Sequence, residues 1–270
     1  MQHVTIKKIK QKHMKTIKLL LVALTVTAFT QINAQTVDEI IANYYENTGG
    51  LENWQKLEGI KMSAKVNQGG MEIPLEIIQL KNGKQMTSIN FQGIEMKQGV
   101  FDGEVLWNTN FQTQKAEKSD KETTDNMKIQ SMDFPDPFMN YKEKGYTVEL
   151  LGKEDLDGTE TFKLKLTKKP LIVEGKEVEN SSIYFIDAEN FVPLVVHTEV
   201  RMGASKGMIS EAKMSDYQEI GGLYFPFSLA QGIKDGQSQG ITIDKIELNP
   251  TVDDSVFAFP VEAATEVKKN

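Results

Sequence analysis

From Ile60 onward apolar and polar residues alternate with a period of two, Ile60, Met62, Ala64 and Val66 being interleaved with Lys61, Ser63, Lys65 and Asn67. Successive side chains leave a strand on opposite sides, so this period predicts a strand with one buried face. Gly69-Gly70, Asn82-Gly83, Gly93 and Asp102-Gly103 then cut the pattern into Met71 to Ile77, Met86 to Phe91, Ile94 to Phe101 and Val105 to Phe111. Short Gly- and Asn-rich breaks of this kind are hairpin turns, so Ile60 to Phe111 reads as a five-stranded antiparallel meander. A second ladder runs through Tyr146 to Gly152, Thr161 to Thr167, Ser182 to Asp187, Val192 to Arg201, Met208 to Tyr217, Leu223 to Gln231 and Gly240 to Leu248. About eleven strands are more than a flat open sheet carries. The expected fold is therefore mainly β, a strongly curved antiparallel half-barrel.

Two stretches depart from the alternation. Thr36-Val37-Asp38-Glu39 offers a capping pattern ahead of Ile40, Ile41, Tyr44 and Tyr45 at helical spacing, and Gly49-Gly50 ends that N-terminal helix. Ser119 to Gly145 also reads as helix, with Met127, Ile129, Met132, Phe134, Phe138, Met139 and Tyr141 as its apolar side and seven Lys, Asp and Glu residues as its polar side. Pro135 and Pro137 split it into two short pieces. It is expected to be a helical lid, with Met127, Met132, Phe134, Phe138 and Met139 as its inner surface; the alternative is a helix capping an ordinary sheet core.

Residues 1–34 stand apart. Six lysines precede the apolar run Leu19 to Phe29, and Ala34 provides a small residue for cleavage, the pattern of a secretory signal peptide. Met14 begins a second, shorter leader of ordinary proportions. Residues 35–270 are then expected to form a single domain, soluble in the periplasm, and the absence of cysteine leaves no residue for a lipid-modified anchor. The whole chain has 31 basic and 38 acidic residues; without the leader 25 remain against 38, a net charge of −13. Such an acidic domain argues against a nucleic-acid partner, which needs a basic stripe.

Catalytic chemistry is not legible. His197 is the only histidine after the leader, which excludes a Cys/His dyad and a multi-histidine metal site. No nucleophile-elbow, zincin or phosphate-loop pattern occurs. Glu72 and Glu76 share a strand face opposite Met71 and Ile73, which places them in solvent, and Asp253-Asp254 reads as a cap before Val256-Phe257. The expectation is a protein that is not an enzyme and carries no cofactor or metal. The apolar side of the strands is rich in methionine, including Met62, Met71, Met86, Met96, Met208 and Met214. Flexible thioethers suit an adaptable binding surface, although they also serve as gap fillers in a core.

Several segments together resemble the outer-membrane lipoprotein carrier family (LolA/LolB-like): Val100-Phe101-Asp102-Gly103-Glu104-Val105-Leu106-Trp107, Pro137-Phe138-Met139, Phe162 to Leu166, Ile183-Tyr184-Phe185-Ile186-Asp187 and Asp254 to Pro260. The resemblance implies a monomeric half-barrel under a helical lid, whose cavity takes acyl chains of lipoproteins or lipids across the periplasm between an inner-membrane donor complex and an outer-membrane acceptor. A sensing or interaction module that binds lipid without transferring it is the alternative within the same superfamily. The cavity wall would comprise Met62, Val66, Met71, Ile73, Leu75, Ile77, Met86, Phe91, Met96, Trp107, Leu164 and Phe185. The family carrier's lid-latching arginine has no counterpart at Leu80-Lys81-Asn82-Gly83-Lys84, where Lys81 or Lys84 is the candidate lid latch.

Overall fold

The computed structural model describes residues 35–260; residues 1–34, where the signal peptide is expected, lie outside the described residues. The described residues from Val37 onward form one compact unit. Helices α1 (Val37–Asn47) and α2 (Leu51–Gln55) precede strands β1 (Gly59–Gln68), β2 (Met71–Leu80), β3 (Gln85–Phe91), β4 (Ile94–Phe101), β5 (Leu106–Thr109) and β6 (Ala116–Lys118). Helix α3 (Lys121–Ser131) follows, then β7 (Thr147–Leu156), β8 (Thr159–Thr167), β9 (Leu171–Val173), β10 (Lys176–Val178), β11 (Ser181–Asp187), β12 (Pro193–Glu199), β13 (Ile209–Ile220), β14 (Leu223–Ile233) and β15 (Ser238–Leu248). Thirteen of these strands form one open, curved antiparallel sheet in the order β6-β5-β4-β3-β2-β1-β15-β14-β13-β12-β11-β8-β7, and β9 and β10 make a separate hairpin. The strands are those expected from the alternation, with the additions of the short β6 and the β9–β10 hairpin.

The turns are set by local chemistry. Gly69-Gly70 and Asp157-Gly158 both adopt positive φ at both positions, as two-residue hairpin turns matched to strand twist require. The β1–β15 pairing places the first meander beside the last strand, so the two ladders become one sheet.

Residues paired directly across antiparallel strands share a face. On one face, which we call inner, Ile60, Ala64, Ile243, Ile246, Phe225, Phe227, Phe162, Leu164, Leu166 and Ile186 meet α1 through Ile40, Ile41, Tyr44 and Tyr45 and the turn segment through Phe138, Met139 and Tyr146. The outer face has its own smaller core, Ile78, Met86, Val100 and Trp107 packed on Phe257 of a terminal 3-10 turn (Asp254–Phe257). Asp253 caps that turn, accepting from the Ser255 amide at 2.8 Å.

The lid differs from expectation. Only Lys121–Ser131 is helical, and residues 132–145 run as turns. The buried residues of α3 are Thr124 and Asn126, both polar, so its packing is by hydrogen bond rather than by an apolar stripe. Asn126 pairs with the Ile172 backbone through both its amide nitrogen (2.7 Å) and its carbonyl (2.8 Å), completing the exposed edge of β9. Glu122 accepts from the Glu174 and Gly175 amides at the β9–β10 tip. On its other side Lys128 pairs with Glu104 at 2.7 Å, so α3 joins the β9–β10 hairpin to the β4–β5 turn.

Candidate functional site

The inner face is filled over part of its length only. Where α1 and the 134–146 segment end, Val66 and Gln68 of β1, Ile73 and Leu75 of β2, Thr87, Ile89 and Phe91 of β3, Met96 of β4, Phe111 of the β5–β6 turn and Gln239 of β15 line a groove of about 430 Å³. Seven of these ten are apolar, and the volume falls in the range of small-ligand sites, about 300–1,000 Å³. Its geometry follows from register: Val66 pairs with Ile73, Leu75 with Ile89 and Ile89 with Met96, so one apolar row crosses four strands on one face. Met71, Ile94 and Phe111 stand at 49, 42 and 60% exposure. They lie on the β1–β2, β3–β4 and β5–β6 hairpins, which share the end of the sheet where the groove opens.

Of the expected cavity residues, Val66, Ile73, Leu75, Phe91 and Met96 meet in this groove. The other seven do not, and each has a physical reason. Met62 and Ile77 pair with each other on the inner face outside the groove, Met62 packing against the main core. Met71 sits at the β1–β2 hairpin, largely in solvent. Leu164 is inward but sealed in the main core at 1% exposure. Met86 pairs with Ile78 and belongs to the outer core. Trp107 is also outward: the pairing slips between Gln85 and Thr87 where Gly99 adopts φ 59, and the extra residue turns Val100, and with it Trp107, to the other face. Trp107 donates its indole N–H to the Phe257 carbonyl at 3.0 Å. Phe185 likewise faces outward, its ring edge-on to His197 at 5.0 Å with the Lys163 ammonium 5.3 Å from its centroid. His197 makes its own contact with Glu211, Nε2 to carboxylate 2.9 Å.

Ile89, Phe111, Thr87, Gln68 and Gln239 complete the groove and were absent from the sequence expectation. Ile89 was legible, since it shares the odd-numbered face of β3 with Phe91. Phe111, expected at the end of a strand, lies in the β5–β6 turn, and the two glutamines continue an apolar face with polar side chains.

None of the expected lid residues lines the groove. Met127 takes a hydrogen bond from the Gln85 side chain at 3.4 Å, and Met132 is 41% exposed. Phe134 borders the main core, and Phe138 and Met139 are inside it. Phe138 lies between Tyr44 and Tyr184, ring centroids 6.3 and 4.7 Å away. The segment is held by acids. Asp136 accepts from the Tyr44 hydroxyl at 2.8 Å, the Tyr45 hydroxyl at 3.0 Å and the Phe138 amide at 2.8 Å. Burial raises the Asp136 carboxyl above its ordinary range, against the opposing pull of these donors. Burial and the nearby Asp136 charge raise both tyrosines in turn. Asp133 takes Lys168 at 2.6 Å and the Tyr146 hydroxyl at 2.9 Å, and Asp38 takes Tyr141 and Lys142. Of the candidate latch residues, Lys81 pairs with Glu58 at 2.6 Å, and Lys84, which borders a hollow beside Phe134, Pro135 and Pro137, gives its ammonium to Asp254 at 2.8 Å.

This arrangement of a long open sheet, an N-terminal helix and a half-filled inner face has structural counterparts. A DUF1329 family protein from Desulfovibrio piger superposes with a TM-score of 0.50 at 15% identity, covering 81% of this chain and 97% of its own. The two chains share a fold. A LolA superfamily protein from Nitrosomonas europaea aligns over 83% of this chain and 98% of its own, with 14% identity and a TM-score of 0.49. A family model described as "-like: Uncharacterized protein" matches residues 131–259. No curated protein matches the chain.

Proposed function

We propose that this LolA-like chain is a periplasmic carrier that shelters an apolar chain of a lipid or lipoprotein on its inner face and moves it toward the outer membrane, taking it from an inner-membrane donor and yielding it to an outer-membrane acceptor. The observation that carries the reading is the 430 Å³ groove, apolar at seven of its ten lining residues and uncovered by α1 or the 134–146 segment. Each methylene removed from water contributes about 0.8 kcal/mol, so even a partly seated acyl chain is held by several kcal/mol. Among the described residues no helix is long and apolar enough to cross a membrane, and the expected leader supports export.

Native mass spectrometry of the protein purified from a periplasm tests the reading, with a fluorescent fatty acid as the second probe. A bound lipid is expected in the wild-type protein. Val66→Trp, which fills the groove from a half-buried position, should weaken fatty-acid binding at least tenfold, equivalent to about 1.4 kcal/mol. A wild-type protein that carries no lipid and binds no fatty acid would overturn the proposal.

A further inference from the structure

A second concavity lies at the opposite side of the same face. About 440 Å³ is enclosed by residues that include Lys168, Asn180, Ser182 and Tyr184, Val196 and Thr198 of β12, and Arg201 beyond it, with Gln130 of α3 and Leu171 of β9 also on its wall. Its chemistry is unlike that of the groove. Six of its fourteen wall residues carry hydroxyls or amides, four are charged and four apolar, and each cation already has its anion: Lys168 with Asp133 at 2.6 Å, Arg201 with Glu199 at 2.7 Å. The wall carboxylate of Glu179 is matched by Lys165 at 2.7 Å. Ser182 and Thr198 share a hydrogen bond at 2.7 Å, and the Tyr184 hydroxyl makes none among the described residues.

The two concavities are joined by a row of paired residues. Ile73 pairs with Val66, Val66 with Ile241, Ile241 with Leu229 and Leu229 with Met214. Two residues along β13 on the same face, Ala212 pairs with Val196 and Val196 with Tyr184. All are half-buried except Ile73, so this apolar strip stays partly open to solvent while Ile241, Leu229 and Tyr184 border the main core. From β1 to β12 the strip crosses four interstrand steps of about 4.8 Å, roughly 19 Å along the sheet. Those four steps separate Val66 of the groove from Val196 of the concavity, a few Å more than the roughly 15 Å that an acyl chain occupies in one bilayer leaflet.

We propose that the cargo is a single-tailed or multi-tailed amphiphile with an uncharged, hydroxyl-rich head, its tail in the Val66–Ile73 groove and its head in the Tyr184–Thr198 concavity. This rests on the carrier reading and specifies its ligand. Mutually neutralised ion pairs leave no spare charge for an anionic head, whereas the Tyr184 hydroxyl and the Gln130 amide, which make no side-chain hydrogen bond among the described residues, suit one that both donates and accepts. Gln130 puts α3 over the head, which gives the helix that joins the two arms of the fold a part in recognition.

Three probes of equal tail length separate the possibilities: palmitate, hexadecyl maltoside and hexadecyl phosphate, each measured by displacement of a fluorescent fatty acid. Wild-type protein should bind the maltoside about tenfold more tightly than palmitate. The double variant Tyr184→Phe/Thr198→Val should lose that advantage and keep palmitate affinity; Gln130→Ala, at an exposed position, should lose part of it without any effect on folding. Equal binding of maltoside and palmitate, an unchanged maltoside affinity in both variants, or tighter binding of hexadecyl phosphate would overturn the head site while leaving the tail groove standing. Failure of wild-type protein to bind palmitate at all would overturn the carrier reading and this inference with it.

Discussion

Replacing Asp136 by alanine tests whether residues 134–146 are a moving cover or a fixed part of the core. Asp136 accepts three hydrogen bonds, two of them from tyrosines that are themselves 6 and 4% exposed. Removing the acceptor leaves the Tyr44 and Tyr45 hydroxyls without a partner, and a buried unsatisfied donor costs about 1–3 kcal/mol. Relief of the buried carboxylate's desolvation offsets part of that, so the net loss is about 2–4 kcal/mol. For a domain of this size each kcal/mol lowers Tm by roughly 2–4 °C, giving a fall on the order of 10 °C. Urea unfolding followed by tyrosine and tryptophan fluorescence, with a calorimetric scan, measures it. A loss below about 1 kcal/mol with the cooperative transition intact would refute the fixed-core assignment and restore a segment able to swing. The same site has a pH signature. The raised carboxyl binds its proton more tightly in the folded state, so its contribution to stability is fully present below pH 3.8 and is lost as pH rises through its folded value. Asp136→Asn, which cannot ionise, should therefore lack that loss. The stability difference between wild type and Asp136→Asn should move against the wild type as pH climbs from about 4 toward neutrality, and a difference independent of pH would contradict the raised value.

Met86→Ala should cost about 2–4 kcal/mol by leaving a cavity against Ile78 and Phe257, yet leave fatty-acid affinity unchanged, because the residue faces away from the groove; equilibrium unfolding and the displacement assay read the two halves separately. Lys81→Ala and Lys84→Ala should each shift stability by less than about 1 kcal/mol and leave lipid exchange rates as they are, since their ion pairs with Glu58 and Asp254 do not reach the 134–146 segment. Gly49→Ala should be among the most damaging single changes in the chain: φ is 108, and a methyl there would stand 1.9 Å from the Gly222 carbonyl oxygen, so a fall in Tm of under about 3 °C would contradict the close approach of α1 to the β13–β14 turn.

The fold was legible where the period of two and the turn chemistry agreed, and these reinforced one another over most of the chain. Ile60 to Val66 and Phe162 to Leu166 alternate cleanly because one side meets a core and the other water. Legibility failed where both sides of a strand are covered. Ile77 and Ile78 are adjacent and apolar because the first faces inward and the second meets the terminal 3-10 turn, an element too short to announce a second core. The Gly99 bulge then changed the face of everything after it on β4, which no count of alternate residues could foresee. The lid was misread for a related reason. Its methionines and phenylalanines follow a plausible helical spacing, but Pro135 and the Asp136 cluster impose turns that bring Phe138 and Met139 inward as plug residues.

Whether a curved sheet of this kind can hold a guest depends on how much of its hollow face the chain fills with itself. Here α1 and residues 134–146 cover the end bearing Leu223, Phe225 and Phe162, where large aromatic side chains meet and exposure falls to a few per cent. Toward the other end the inward positions become Val66, Ile241, Leu229, Met214 and Val196, medium-sized and half-buried. An apolar face that is meant to be a core is closed by its own chain, because leaving it open loses about 25 cal/mol for every Å² exposed. One that stops short of closure along a continuous row of seven strands, with a polar hollow at one end and an apolar groove at the other, leaves the room that the proposed guest requires. Strand residues alone cannot distinguish these cases, since both read as alternating apolar positions. The distinction is carried by α1 and Asp136, which fix where the plug ends.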